Sequence, residues 1–462
     1  MFVAILLLAI LATACSQTNA SSSSTSSNHG STNAATSGDS MEVVHASYLD
    51  LVGNIADLRT RVEQWKTGDE ASLNIAKEKL ERIQVVLAAT TWSPIMRSAT
   101  TQVDTALPTM KQSLNNKDQA QATTAAKMLG DGSHDVTHAF YGDWLPALKG
   151  QRFSTMAPHA IYLDLNTNIA DLRTRIAAWE KGDEASLNIA VEKMDRIQAL
   201  VQHALSTDVL VKPLNAIGAS LPAISAALNR KDVAAATGAL KPLSDASHDL
   251  THDFYAWMNV TAGSNDPACI QAGYLDLTAN LADLRSRVTS WEKGDASSLN
   301  IAQEKLERIE IVLAHAKWSQ PMVNAVQKIE RALPDVTLAL KQQNVALTQQ
   351  ALKPISDASH DMTHAYYGDF LPQAHQTGHV ASPSNMQGHS TSPVTTAQTA
   401  SGHSDSHGHD EEVATTSSSE KGLVLGGFGL INGIVIGLAA IVKVRTQKKR
   451  QVEKISSGAA AE

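Results

Sequence analysis

The sequence predicts an all-α protein built from three tandem duplicated four-helix bundles of the up-down-up-down type, followed by one C-terminal transmembrane helix. A segment beginning at Tyr48 recurs 114 residues later at Tyr162 and a further 112 residues later at Tyr274. A period this long indicates duplicated domains rather than a solenoid, whose repeats span about 20–50 residues. Within each copy, apolar residues recur at helical spacing. An uninterrupted apolar run then follows near the C-terminal end.

We divide the 462-residue chain into eight segments on this basis. They are a signal peptide with lipobox at 1–15, a Ser-rich disordered tether at 16–40, bundles at 41–152, 155–262 and 266–375, a His-rich disordered linker at 376–421, a transmembrane helix at 422–442, and a short basic cytoplasmic tail at 443–462. The formal net charge of −8 argues against a nucleic-acid partner, which would need basic patches. The two cysteines exclude a disulfide scaffold and a Cys-rich zinc site.

The N-terminal segment predicts export. Residues 2–14 form an apolar run that is too short to span a bilayer but suits the core of a signal peptide. It ends at Cys15, directly after small residues, and so resembles a bacterial lipoprotein lipobox. The resemblance implies cleavage before Cys15 and lipid attachment to its thiol. The Ser-rich stretch that follows has too few apolar residues to form a core and is expected to be a tether.

Each copy is predicted to contain four helices of about 20 residues joined by short turns. In the first copy they run from about 48 to 65, from about 70 to 89, from Ser93-Pro94 onward, and from the turn at 115–118 onward. The third helix contains Pro108, with counterparts in the other copies, and is expected to be kinked or divided there. We interpret the charged segments 57–59 and 78–82 as a solvated face with ion pairs between neighbouring turns. A di-iron carboxylate site is excluded, because these helices lack its Glu-x-x-His motif.

The fourth helix of every copy carries the pattern Ser-His-Asp-x-Thr-His. The pairs are His134 and His138, His248 and His252, and His360 and His364. Two histidines four residues apart lie one above the other on a helix, so both imidazoles can reach one metal ion. The sequence leaves undecided whether these histidines face the core or the outside of the bundle. If Val136 and Phe140 face the core, the histidines point to solvent or another domain, whereas buried Thr137 and Tyr141 would bring them nearer the core.

Other histidines are predicted to gather at the same end of each bundle as the pairs. They are His45 and His159 before the first helix, His203 and His315 at the end of the second helix, and His403, His407 and His409 in the linker. Clusters of three or four imidazoles suit Cu, Zn or Ni ions, so all of these residues are candidate metal ligands. The competing interpretation is that the bundle histidines are polar surface, helix-capping groups or contacts to a protein partner.

Residues 422–442 are long enough to span a bilayer, and the basic residues that follow place this end in the cytoplasm by the positive-inside rule. Gly429, Gly433 and Gly437 form a ridge of small residues that permits close helix packing, which makes a homodimer a candidate state. The bundles would then lie on the extracytoplasmic side of the membrane. Cys269 at the start of the third copy is expected to be an inert, partly buried thiol.

Two functions fit this pattern. The first is a membrane-tethered extracytoplasmic bacterial protein that binds or buffers a transition metal through the bundle histidines and the His-rich linker. The alternative is a non-catalytic structural or interaction module, a surface spacer or docking platform for an envelope protein partner. No catalytic residues are assigned, because no nucleophile or acid–base constellation can be assembled from the sequence, and an enzyme is not predicted.

Overall fold

Helices account for all the regular secondary structure in the described part of the chain, which confirms the predicted all-α class. The computed structural model describes residues 39–148, 157–204 and 210–374. We number the long helices α1 to α12. They are α1 Met41–Lys66, α2 Ala71–Ala89, α3 Pro94–Asn116, α4 Gln119–His138, α5 Ala157–Glu180, α6 Ala185–Ala204, α7 Val211–Asn229, α8 Val233–Val260, α9 Pro267–Glu292, α10 Ser297–His315, α11 Gln320–Lys341 and α12 Val345–Ala365.

Local chemistry sets the helix ends. The Ser93 hydroxyl accepts a hydrogen bond from the Met96 backbone N–H, and proline occupies the first turn of α3. Gly68 follows α1 with φ near +103°, a conformation that residues with a side chain rarely adopt. Asp118 caps α4 by accepting from the Gln121 N–H at 2.9 Å. Of the two predicted effects of proline on the third helix, a kink or a division, the division is wrong, since α3 continues through Pro108.

The four helices of each repeat pack into a closed set. In repeat 1, which comprises α1–α4, α1 packs against α2 and α4, and α3 packs against the same two helices. Repeat 2 (α5–α8) and repeat 3 (α9–α12) have the same arrangement of contacts. Apolar residues on the inward faces, among them Leu51, Ile55 and Leu58 of α1, are fully buried. Their burial is the main driving force for this packing.

The repeats also pack against one another. The first helices of the repeats, α1, α5 and α9, contact each other in all three combinations. The end of α8 contacts α10, and the short turn after α12 contacts α2. One continuous hydrophobic cluster accordingly contains buried residues of all three repeats. Because repeat 3 contacts repeat 1, the contacts between repeats form a closed cycle.

The fourth helices of repeats 1 and 3 end in π-helical segments, Ala139–Trp144 and Tyr366–Phe370. These segments bring aromatic side chains to the contacts between repeats. Phe140 is fully buried and stacks on Tyr48 of α1 with ring centroids 4.0 Å apart. Such local widening of an α-helix is frequently found at functional sites.

In the charged segments of the first and second helices, Asp57, Lys79 and Arg82 are buried, so the interpretation of these segments as a solvated face is wrong for these residues, whereas Arg59 and Glu81 are exposed. Asp57 and Lys79 are buried, with the Lys79 Nζ 2.8 Å from an Asp57 carboxylate oxygen. Arg61, one turn further along α1, lies 3.3 Å from the other oxygen. The pair with Lys79 joins α1 to α2 inside the repeat, whereas the pair with Arg61 lies within α1 at four-residue spacing. The pair between helices recurs, less completely buried, as Asp171 with Lys193 and Asp283 with Lys305.

Several predicted segments lie outside the described residues. They are the signal peptide and Cys15, the Ser-rich tether up to residue 38, the linker with His403, His407 and His409, the predicted transmembrane helix with Gly429, Gly433 and Gly437, and the basic tail. Among the helices that the structure does describe, none combines the length and apolarity needed to cross a bilayer.

Replacing Phe140 by alanine should lower the free energy of unfolding by about 3–5 kcal/mol, because the change leaves a cavity beneath Tyr48 and Trp144. Chemical denaturation followed by circular dichroism measures this loss. Ile95→Ala, at an exposed position, is the control and should change the value by less than about 0.5 kcal/mol. Equal losses in both variants would contradict the assigned core.

Candidate metal centre

Each contact between repeats is built around a buried aspartate, and we call these contacts seams. Seam 1–2 centres on Asp164 of α5, which is 2% exposed. Its carboxylate accepts hydrogen bonds from the Tyr141 hydroxyl of repeat 1 at 2.5 Å and from the Asn168 side chain at 2.7 Å. The second oxygen lies 2.8 Å from Nε2 of His45, also in repeat 1. A buried carboxylate needs such partners, because burial without them costs several kcal/mol.

Seam 2–3 repeats this arrangement. Asp276 of α9 accepts from the Tyr255 hydroxyl at 2.9 Å and from Asn280 at 2.7 Å. Nε2 of His159 lies 3.0 Å from its second oxygen. The tyrosine and the histidine again come from the preceding repeat. Each of these two seams therefore depends on groups that the neighbouring repeat supplies.

Seam 3–1 closes the cycle with different groups. Asp50 of α1 accepts from the Tyr367 hydroxyl at 2.5 Å and from Asn54 at 2.7 Å. Gln271 replaces the histidine and donates to the Ser47 hydroxyl instead. Tyr366, which replaces the phenylalanine of the other repeats, donates to the free Asp50 oxygen at 3.2 Å. This seam thus has only neutral donors on its carboxylate. Burial raises the pKa of Asp50 to about 6, although the two tyrosine hydrogen bonds oppose this rise.

Among the described side chains, the structure does not bring His45, His159 or His315 to the histidine pairs. His45 and His159 are buried partners of the seam aspartates. Nδ1 of His315 donates to the Thr261 carbonyl oxygen at 3.1 Å, and burial lowers its pKa. His203 belongs to α6, but its side chain lies outside the described residues. Burial and hydrogen bonding account for the described three without a metal.

The paired histidines lie on the exposed side of the fourth helices. Val136 and Phe140 are fully buried, so this side of the helix faces the core and the histidines point outward. Nε2 of His134 lies 3.2 Å from Nε2 of His138. The corresponding nitrogens are 3.1 Å apart in the other two pairs, His248 with His252 and His360 with His364.

A glutamate of the next repeat joins the first pair. Glu192 of α6 offers a carboxylate oxygen, and this atom and the ligand nitrogens of His134 and His138 all lie within 4.8 Å of one another. Sequence reasoning missed Glu192 because it assigned this charged segment to the surface of its own repeat. The counterparts of Glu192 are Glu78 and Glu304 in the equivalent ion-paired positions. The recurrence of glutamate at this position in all three repeats, at offsets of 114 and 112 residues, was the sequence signal that could have identified Glu192.

A chain of polar contacts links this glutamate to the buried seam. Arg196 forms an ion pair with Glu192, and its guanidinium carbon lies 5.5 Å from the centre of the Tyr141 ring. Tyr141 in turn donates to Asp164.

The equivalent glutamate in repeat 1 is Glu78. Burial would raise its pKa, but the Arg82 guanidinium more than offsets this effect and holds the pKa below its usual range.

The geometry suits a transition metal ion. Two nitrogens bound to one tetrahedral zinc at about 2.0–2.1 Å are about 3.3 Å apart, close to the spacing of all three pairs. Two imidazoles and one carboxylate fill three positions and leave one open to solvent. No protein-family model, curated protein or solved structure matches this chain.

The contribution of Asp50 to the free energy of unfolding should fall by at most about 3 kcal/mol as the pH rises from about 4 to 6. The folded state keeps the Asp50 proton over this range, whereas the unfolded chain has lost it. Asp50→Asn should remove this contribution, so that the stability of the wild type relative to the variant decreases across the window.

Denaturant unfolding at several pH values between 4 and 7 measures this difference. Asp104→Asn, at an exposed position on α3, serves as the control and should follow the wild-type profile. Parallel pH profiles of the free energy of unfolding for the wild type and Asp50→Asn would contradict a raised pKa of Asp50 in the folded protein.

Proposed function

We propose that this chain is an extracytoplasmic, membrane-tethered bacterial protein that binds or buffers Cu(II), Zn(II) or Ni(II). The observation that carries the proposal is the convergence of His134, His138 and Glu192, with the two imidazole nitrogens at the spacing that one metal ion requires. The pairs His248 with His252 and His360 with His364 supply two nitrogens at the same spacing at two further positions, but among the described residues a carboxylate completes a group of three ligands only at the first pair.

Exposure of the pairs favours reversible binding over a structural role. The side chain of His134 is 57% exposed and that of His248 is 66% exposed. Structural zinc sites are closed by four protein ligands, whereas a site with three ligands keeps a position for water or an incoming group. An ion held in this way can exchange with solvent or with a partner. Buffering or delivery is the function that such sites serve best.

The rest of the architecture belongs to the same proposal. The three repeats are up-down-up-down bundles with the boundaries given above, and the lipid on Cys15 and the helix at 422–442 hold them at the outer surface of the cell membrane. His403, His407 and His409 in the linker add weaker binding, since a flexible segment has no preformed site. No catalytic residues are assigned.

Titration calorimetry of the metal-free purified chain with CuCl₂, ZnCl₂ or NiCl₂ tests the proposal. For at least one of these ions we expect three sites of micromolar or tighter affinity in a variant whose linker histidines 403, 407 and 409 are alanine. Adding His134→Ala and His138→Ala should remove one site. Absence of binding at this affinity, or an unchanged stoichiometry in the double variant, would overturn it.

Glu192→Gln should weaken the first site by about tenfold or more, because it removes the charged oxygen ligand. The matched control is Glu184→Gln, an exposed glutamate before the same helix, which should leave the affinity unchanged. Equal affinities in both variants would show that Glu192 is not a ligand.

The second candidate function is a non-catalytic interaction module for an envelope protein. The closed cycle of buried seams favours it, since such packing gives a rigid platform. Capture of one defined partner from envelope extract that is unaffected by chelator, together with no metal binding in calorimetry, would favour this candidate over the first.

Self-association through the membrane helix is a further part of the proposal. Gly433→Leu should reduce crosslinking of the full-length protein in membranes, because a large side chain separates helices that pack through the ridge of Gly429, Gly433 and Gly437. Ala439→Leu, off the ridge by helical geometry, is the matched control. Unchanged crosslinking in Gly433→Leu would rule out a dimer through this face.

A further inference from the structure

Seam 3–1 contains a cavity of about 280 Å³ between repeats 3 and 1. Asp50, Asn54 and Arg82 are among the residues that line it from repeat 1, and Tyr274 and Tyr367 are among those that line it from repeat 3. This volume lies just below the range of about 300–1,000 Å³ that is usual for the binding sites of small molecules. The cavity therefore has room for a ligand of only a few heavy atoms.

The sequence of repeat 1 leaves space at this seam. Gly53 lines the cavity, and the equivalent positions at the other two seams hold Thr167 and Ala279. A glycine inside a helix lowers helix stability, so its presence here calls for a packing or functional reason. The cavity thus lies where the chain departs from its own repeat pattern.

The two arginines that line the cavity already have carboxylate neighbours. Arg82 forms an ion pair with Glu78. Burial lowers the pKa of Arg285, and the nearby Asp357 carboxylate opposes this effect. The Nε and one Nη atom of Arg285 are shielded from solvent, so they face protein rather than the cavity. Neither arginine therefore offers an unpaired positive charge to a ligand.

Asp50 is the one carboxylate of the cavity lining that has only neutral hydrogen-bond donors among the described residues. Of the other two, Asp357 lies near Arg285, and Asp361 lies 2.7 Å from the Lys328 Nζ. Both of these aspartates are exposed, whereas Asp50 is 2% exposed. The buried part of the cavity thus carries a negative charge that has no cation in contact with it.

The Asn54 side chain provides an unused acceptor beside this charge. It is 4% exposed, and its Nδ2 donates to the backbone carbonyl oxygen and the carboxylate of Asp50 and to the Tyr367 hydroxyl. Its Oδ1 accepts no hydrogen bond from the described residues, yet this atom is not shielded from solvent. Since Asn54 is nearly buried and lines the cavity, its Oδ1 faces the cavity. An amide oxygen in such a place calls for a donor.

We propose that this cavity binds a small primary ammonium ion, the protonated form of an organic amine. One ammonium N–H donates to Oδ1 of Asn54, and the positive charge compensates that of Asp50. An anion is disfavoured because three carboxylates line the cavity. The exposed Asp357 and Asp361 add a negative potential at the entrance, which favours the approach of a cation.

The test uses the full chain freed of metal by a chelating resin, because an ion bound at His360, which also lines the cavity, would repel a cation. The probes are methylammonium, n-butylammonium, tetramethylammonium and acetate, in phosphate buffer at constant ionic strength and neutral pH. Saturation-transfer NMR and thermal unfolding report binding. We expect at least one of the two primary ammonium ions to give saturation transfer and a dose-dependent rise in Tm. Tetramethylammonium, which has no N–H donor, and acetate should give weaker responses.

Asp50→Asn should reduce the affinity for the primary ammonium ion by about tenfold or more, because it removes the charge and keeps the volume. The matched Asp276→Asn, at seam 2–3, should leave this affinity unchanged. Gly53→Thr, which introduces the residue of repeat 2, places a side chain in the cavity lining and should abolish binding, whereas Ala279→Thr should not. If Asp50→Asn fails to fold, as judged by circular dichroism, the two threonine variants decide.

Three results would overturn the proposal. They are no response to either primary ammonium ion, a response to tetramethylammonium or acetate that is at least as strong, and affinity that is unchanged in Asp50→Asn or in Gly53→Thr. Failure here leaves the metal proposal intact, because the metal titrations change other residues.

Discussion

A buried carboxylate on the first helix of each repeat is the constraint on which the packing of the three repeats depends. Asp50, Asp164 and Asp276 are each 2% exposed and lie where the first helices meet. Each has an asparagine of its own repeat as one donor, but its tyrosine comes from the preceding repeat. Removing a neighbour would leave each buried carboxylate without its tyrosine donor and with only the asparagine of its own repeat, which costs several kcal/mol. The carboxylates therefore tie each repeat to the next and repeat 3 to repeat 1.

The closing seam shows that the same carboxylate can be accommodated in two ways. At two seams a histidine approaches the second oxygen, and at seam 3–1 Tyr366 takes that place while Gln271 turns to Ser47. Loss of a group that can carry positive charge leaves neutral donors only, which is consistent with the raised pKa of Asp50. A cavity lined by Asp50, Arg82 and Tyr367, among other residues, also lies at this seam. Differences between the repeats are thus concentrated where the cycle closes.

Helix positions, the repeat and the paired histidines could be predicted from the sequence, because they depend on periodicity within one chain segment. Glu192 and the burial of Asp57 could not, since both depend on contacts that helical spacing does not encode. His45 was predicted to be a metal ligand because its position near the helix end gave no sign of the aspartate in the next repeat. The paired replacements at 271 and 366 were the one visible signal of that contact.

The contacts around Glu192 imply that the proposed metal binding would influence the packing of seam 1–2, and that this packing would influence metal binding. A metal ion at His134 and His138 would share Glu192 with Arg196, weakening the ion pair that holds this guanidinium over Tyr141. Tyr141 is also the donor to Asp164, so a change in its surroundings reaches the buried carboxylate. Such coupling is reciprocal: the factor by which a bound ion would change the equilibrium of seam packing equals the factor by which seam packing would change the affinity for the ion. The proposed metal site lies between repeats 1 and 2 because its two histidines belong to repeat 1 and its glutamate belongs to repeat 2.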